Sequence, residues 1–169
     1  MIKLKSSNKV LPMFFFLMNF YVNEIKASHK KLYELNIAPQ QKAVLILFPC
    51  FSCNIENTKY EAKFLENLEN EGITTLLLNY NRKLYLSESE KKEYSKVLNL
   101  IFERNKIAKE NIFIGGFSSG GNLAVLLSNH LIKTQDSLHL KGLFVVDSPL
   151  DLERLYSGAL NDIKKNISK

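Results

Sequence analysis

The run Gly115-Gly116-Phe117-Ser118-Ser119-Gly120-Gly121 is where this chain concentrates its chemistry. It contains G-x-S-x-G from Gly116 to Gly120, between a strand-like segment, Asn111 to Gly115 (NIFIG), and a helical one, Ser119 to Lys133. That context predicts a nucleophile elbow, a tight strand-to-helix turn that lifts a serine hydroxyl clear at the carboxyl end of a sheet. Such a turn forces the serine into a cramped backbone conformation. Glycines two residues before and after it remove the side chains that would collide with strand and helix. Ser118 is therefore the candidate nucleophile. The N–H of Ser119, at the positive end of the helix, is the candidate donor to an oxyanion developing on an attacked carbonyl. The same glycines fail two nucleotide readings. Neither Gly115 nor Gly116 has a glycine two residues later, as G-x-G-x-x-G requires, and Asn122-Leu123 follows Gly121 where a P-loop has lysine and a hydroxyl residue. A Gly/Ser turn that only packs helix on strand is the plainer alternative.

A serine hydroxyl is a weak nucleophile at neutral pH and needs a base, itself oriented by an acid. His130 lies about three turns into the helix that starts at Ser119, roughly 16 Å from its beginning. His139 precedes the strand Gly142 to Val146 (GLFVV) and so falls at the amino end of the sheet. Both are expected to be solvated or capping residues, and no fold argument brings His29 to Ser118. Asp147 ends the GLFVV strand at the carboxyl edge and is a candidate acid. The competing reading makes Asp147, Ser148 and Pro149 a turn leading into a helix, with Asp151 near that helix's N-terminus. Cys50 and Cys53 form a lone C-x-x-C without the second ligand pair of a structural zinc site and without an adjacent histidine to activate a thiol. A small apolar filler or, in an exported chain, a local disulfide is expected there. No metal and no cofactor is implied.

Apolar runs of strand length alternate with segments of helical period, the pattern of a parallel sheet covered by helices on both faces. Ala43 to Phe48 (AVLILF) and Ile73 to Tyr80 (ITTLLLNY) read as buried strands. Thr58 to Asn70 reads as a helix with Tyr60, Phe64, Leu65 and Leu68 on one side and Gly72 as its stop. Ser87 to Arg104 opens with Ser87 and Glu90 at capping-box spacing and carries Tyr94, Val97, Leu98, Ile101 and Phe102 on one stripe. A last helix starts near Leu150, and Lys31 to Ile37 alternates weakly, as an antiparallel edge strand would. The fold class is thus α/β, a three-layer sandwich with a mostly parallel sheet.

With 169 residues, 46% hydrophobic and 24% charged, the chain is long enough for one core and lacks the bias of disordered or collagen-like sequences. The formal charge of +6 comes from scattered lysines, with no dense basic tract interleaved with aromatics, so nucleic acid is not indicated. Residues 1–27 have a basic start, an apolar run from Val10 to Val22 and a polar stretch ending at Ala27, the layout of a signal peptide. That run falls short of the roughly 20 residues of a stable membrane span. Export to the periplasm or beyond is expected, with residues 28–169 as the domain. An uncleaved leader, on a cytoplasmic or membrane-associated chain, is the alternative.

From residue 43 to about residue 152 the sequence resembles the α/β-hydrolase superfamily, particularly its esterase/lipase-like members. The resemblance rests on AVLILF with the loop Pro49-Cys50-Phe51, on Gly116 to Gly120 continued by Gly121-Asn122-Leu123-Ala124, on their spacing, and on GLFVVDSP. It implies a serine hydrolase acting on a small-molecule carboxylic ester or related acyl substrate through an acyl-enzyme. By position it also implies Phe51 N–H as second oxyanion donor, although Pro49-Cys50 stands where members often carry His-Gly. The superfamily order is Ser, then Asp or Glu, then His after the last strand. Residues 147 to 169 are too few for the strands that would precede such a histidine, since one βαβ unit takes roughly 30 residues. The expectation is a truncated α/β-hydrolase with little turnover. Its rivals are a non-catalytic binding or interaction module and a fragment, whose open sheet edge along Lys141 to Asp147 would lower solubility. Substrate identity and oligomeric state are not read from this sequence.

Overall fold

The computed structural model describes residues 32–79 and 82–167; the expected leader, residues 1–27, lies outside them. The described chain runs β1 (Tyr33–Asn36), β2 (Ala43–Phe48), α1 (Ile55–Glu61), a 3-10 helix (Lys63–Asn67) and β3 (Ile73–Leu78). It continues through α2 (Glu88–Asn105), β4 (Ile112–Phe117), α3 (Ser119–Lys133), β5 (Leu140–Val146) and α4 (Leu152–Ile167). The strands form one five-stranded sheet in the order β1-β3-β2-β4-β5. β1 pairs antiparallel with β3, as the alternation of Lys31 to Ile37 predicts, and the other pairs are parallel.

Side chains alternate across a strand, so each strand feeds two cores. Val44, Ile46 and Phe48 of β2, with Ile112 and Ile114 of β4, join Leu98 and Phe102 of α2 and Leu123 and Leu127 of α3 in the larger cluster. Leu47 and Leu77 belong to a second, smaller cluster with Ile55 of α1, against which Leu65, Phe117 and Phe144 pack. Helices on both faces of the sheet make the expected three layers. The last elements are less covered: Leu143, Val145 and Val146 of β5 and Leu155, Tyr156 and Leu160 of α4 are exposed.

α2 begins as its capping box predicts, with the Ser87 side chain accepting from Glu90 N–H and the Glu90 carboxylate accepting from Ser87 N–H. The single helix expected over Thr58 to Asn70 is instead two short pieces. Asn54 starts α1 early, in a reciprocal cap with Asn57, and Ala62 leaves the helical region at φ −93° and ψ 68°. That break rotates the following residues off a continuous helical stripe. Phe64 beyond the break is consequently 48% exposed, Tyr60 within α1 is 72% exposed, and of the apolar residues around the break Leu65 packs on the smaller cluster.

The sheet order has a direct consequence for function. From β2 the chain proceeds to β3 on one side, while from β4 it proceeds to β5 on the other, so the carboxyl ends of β2 and β4 form a topological switch point. Phe48 lies opposite Gly116 in the parallel register, and the loops leaving these two strands therefore emerge side by side.

Candidate active site

Between the end of β4 at Phe117 and the start of α3 at Ser119 stands Ser118 alone. Its backbone is at φ 49° and ψ −124°, a positive-φ conformation that a residue with a side chain adopts only under constraint. Two hydrogen bonds hold it there: Ser118 N–H donates to the Val146 carbonyl at 2.8 Å, and the Ser118 carbonyl accepts from Gly121 N–H at 3.0 Å. The flanking glycines are required by close approach. A Cβ on Gly116 would lie 2.2 Å from the Gly120 carbonyl carbon, and one on Gly120 would lie 2.3 Å from the Pro49 oxygen and 2.6 Å from the Phe48 oxygen. All of these neighbours are backbone atoms, which cannot swing aside. Strand, helix and the loop after β2 thus meet without room for a methyl group, and Ser118 sits at their junction, partly exposed.

The sequence-predicted residues fall into two groups. Ser119 is the first, buried residue of α3, next to Ser118 in the turn. Phe51 is 43% exposed in the loop whose first carbonyl, that of Pro49, abuts Gly120. Within that loop Cys50 and Cys53 form a disulfide, and Cys53 N–H donates to the Cys50 carbonyl at 3.1 Å. Asp147 follows Val146, the residue bonded to Ser118 N–H, and is exposed with φ 50°. The turn into α4 has the predicted form: Asp151 Oδ1 accepts from Arg154 N–H at 2.9 Å and caps the helix.

The histidines form the other group. His139 lies at the amino end of the sheet, its N–H donating to the Lys109 carbonyl at 2.9 Å and its carbonyl accepting from Ile112 N–H at 3.3 Å. His130 is 8% exposed, and so is buried where a solvated or capping residue was expected. Its Nδ1 is 4.0 Å from the Glu88 carboxylate at the start of α2, along α3 from the serine turn. His29 lies outside the described residues. Among the described residues, no cluster of histidine, cysteine or acidic side chains could hold a metal ion, and no helix is long and apolar enough to cross a membrane.

One polar residue at the site escapes the motif. Asn122, 4% exposed in the first turn of α3, donates from Nδ2 to the Pro149 carbonyl at 3.1 Å, while its Oδ1 is buried without a hydrogen bond. It clamps the turn after β5 to the helix that carries Ser119. The available signal was an asparagine on an otherwise apolar helix face, where a buried amide must find a partner.

No protein-family model and no curated protein matches this sequence. Solved structures do match. The fluorophosphonate-binding serine hydrolase F of Staphylococcus aureus superposes with a TM-score of 0.52 at 13% identity, over 65% of this chain and 48% of that one. EstE1, a thermostable carboxylesterase cloned from a metagenomic library, superposes with a TM-score of 0.51 at 17% identity, over 66% of this chain and 40% of its own. The chain thus spans less than half the length of either neighbour. Parallel strand order, the two-sided helical cover, the serine turn at the switch point and these likenesses lead to one statement: the chain has the α/β-hydrolase fold.

Proposed function

We propose that the chain is a serine hydrolase of carboxylic esters or related acyl compounds, with Ser118 as nucleophile. Ser118 Oγ gives up its proton and attacks the carbonyl carbon, and the amides of Ser119 and Phe51 receive the charge that builds on the carbonyl oxygen. The ester C–O bond breaks as the alcohol leaves with a proton, yielding an acyl-enzyme that water later cleaves to the acid. The single observation that carries this reading is the positive φ of Ser118 between two glycines that admit no side chain. Such strain persists only where the surroundings impose it, and it concentrates at functional sites. Asp147, the residue after β5, is the candidate for the acid role. The fold likeness to a fluorophosphonate-binding hydrolase supports the choice of probe. The disulfide supports the export reading, because such bonds persist in oxidising compartments.

No described histidine stands beside Ser118, and loss of a triad histidine lowers turnover by on the order of 10⁶. We therefore expect slow chemistry from this chain. That same observation favours a second reading, a non-catalytic binding or interaction module. Fluorophosphonate labelling separates the two. Slow covalent labelling that disappears in Ser118→Ala supports the hydrolase. Labelling that survives Ser118→Ala, or none at all, supports the binding module, and rapid stoichiometric labelling with turnover would show that a base reaches Ser118 from outside the described residues.

A further inference from the structure

The Cys50–Cys53 disulfide has no part in the ester chemistry, yet it lies in the loop that leaves β2 beside the serine turn. That loop is anchored at both ends: upstream the Pro49 carbonyl lies against Gly120, and downstream Asn54 caps α1. Between the two sulfurs stand only Phe51 and Ser52, both exposed. The bond thus closes a small ring around Phe51, and the Cys53 N–H to Cys50 carbonyl bond completes the turn. Cys50 and Cys53 are each partly exposed, within reach of a small thiol in solution.

We propose that Cys50 and Cys53 are a thiol–disulfide modification site that switches the serine centre, assembled when the pair is oxidised and loosened when it is reduced. This rests on the reading of Ser118 as nucleophile and Phe51 N–H as donor. A low-molecular-weight thiol supplies the electrons. Its thiolate attacks one protein sulfur, the Cys50–Cys53 bond breaks with its electron pair passing to the other sulfur, and that sulfur takes up a proton. A second thiolate then resolves the mixed disulfide, the released protein sulfur is protonated, and two small thiols have become one disulfide as the protein pair became two thiols. Without the cross-link, Phe51 and Ser52 regain backbone freedom, and the donor is no longer held in one place. The consequence for an exported chain is an idle serine in a reducing cytosol and a completed site after oxidation.

The test compares the full chain, oxidised and reduced by glutathione, with the Cys50→Ser/Cys53→Ser variant. Removing one oxyanion donor lowers kcat by on the order of 10²–10³, so fluorophosphonate labelling of Ser118 is expected to slow at least about tenfold on reduction. The double variant should label at the reduced rate with or without glutathione. Amide hydrogen exchange, which does not depend on serine reactivity, should show residue 53, whose N–H donates to the Cys50 carbonyl across the loop, slower to exchange in the oxidised chain than in the reduced one, with the β2 and β4 amides unchanged. Measurable labelling at equal rates in the two states, or equal exchange at residue 53, overturns the proposal. If Ser118 never labels while the difference at residue 53 persists, the nucleophile reading fails and redox control of the loop stands. If the double variant does not fold, the reduced wild-type chain carries the comparison.

Discussion

Ser118 holds a side chain where glycine would rest more easily, at φ 49°. A residue kept in such a region costs of order 1–3 kcal/mol of folding stability. Ser118→Gly is expected to stabilise the chain by about 1 kcal/mol relative to Ser118→Ala, which removes the hydroxyl but keeps the Cβ. Urea denaturation of the two variants measures the difference, and equal midpoints would show that the turn is unstrained. The motif made this turn legible because its glycines serve one local purpose, the close passage of three backbone segments. The partner of Asn122 was not legible, since the Pro149 carbonyl is brought to it only by the β5-to-α4 turn. The disulfide stood as one of two alternatives in the sequence. Pairing depends on how closely the loop approaches itself, and a C-x-x-C spacing does not determine that.

Among the elements, α2 started where its capping box says. Ser87 and Glu90 reciprocally satisfy two otherwise orphaned amides at the start of α2. Ser87→Ala is expected to destabilise the chain by about 1 kcal/mol, read as a lower urea midpoint at unchanged slope. Gly158, inside α4, offers a contrast, because a Cβ placed there meets nothing within 4 Å. Gly158→Ala is therefore expected to stabilise α4 by about 0.5–1 kcal/mol. Slower amide exchange within that helix would report the gain, and unchanged exchange would refute it. The segment after Asn54 misled the periodicity argument for a physical reason. A stripe counted at 3.6 residues per turn assumes one uninterrupted helix, and the departure at Ala62 resets the face.

On the scale of the molecule, Asp136 ties the connection after α3 to α2. Its carboxylate accepts from Ser95 Oγ, from Asn99 Nδ2 at 2.9 Å and from Leu138 N–H at 3.1 Å. Burial pushes this carboxyl upward, but the three hydrogen bonds and the charge of Lys109 outweigh it, so the group titrates below its ordinary value of 3.8. A carboxyl depressed by folding contributes stability above its ordinary value and loses that contribution as pH falls through the lower folded value. Asp136→Asn is thus expected to lose about 1 kcal/mol or more at pH 7 and to soften the acid limb of the stability profile below 3.8. Denaturation midpoints collected from neutral to acidic pH check both signs, and a parallel offset at every pH would refute the linkage.

What the sequence determined by itself was local: strands from short apolar runs, α2 from its cap and stripe, and a serine turn from glycines at fixed distances. Each of these depends on atoms a few residues apart, so the chain encodes it in consecutive letters. Only the tertiary structure decided that β2 and β4 are neighbours, with Phe48 opposite Gly116. That pairing brings the Cys50–Cys53 loop to Ser118. Strand order arises from how two hydrophobic cores share one sheet, a balance struck over the whole chain and therefore written in no single segment of it.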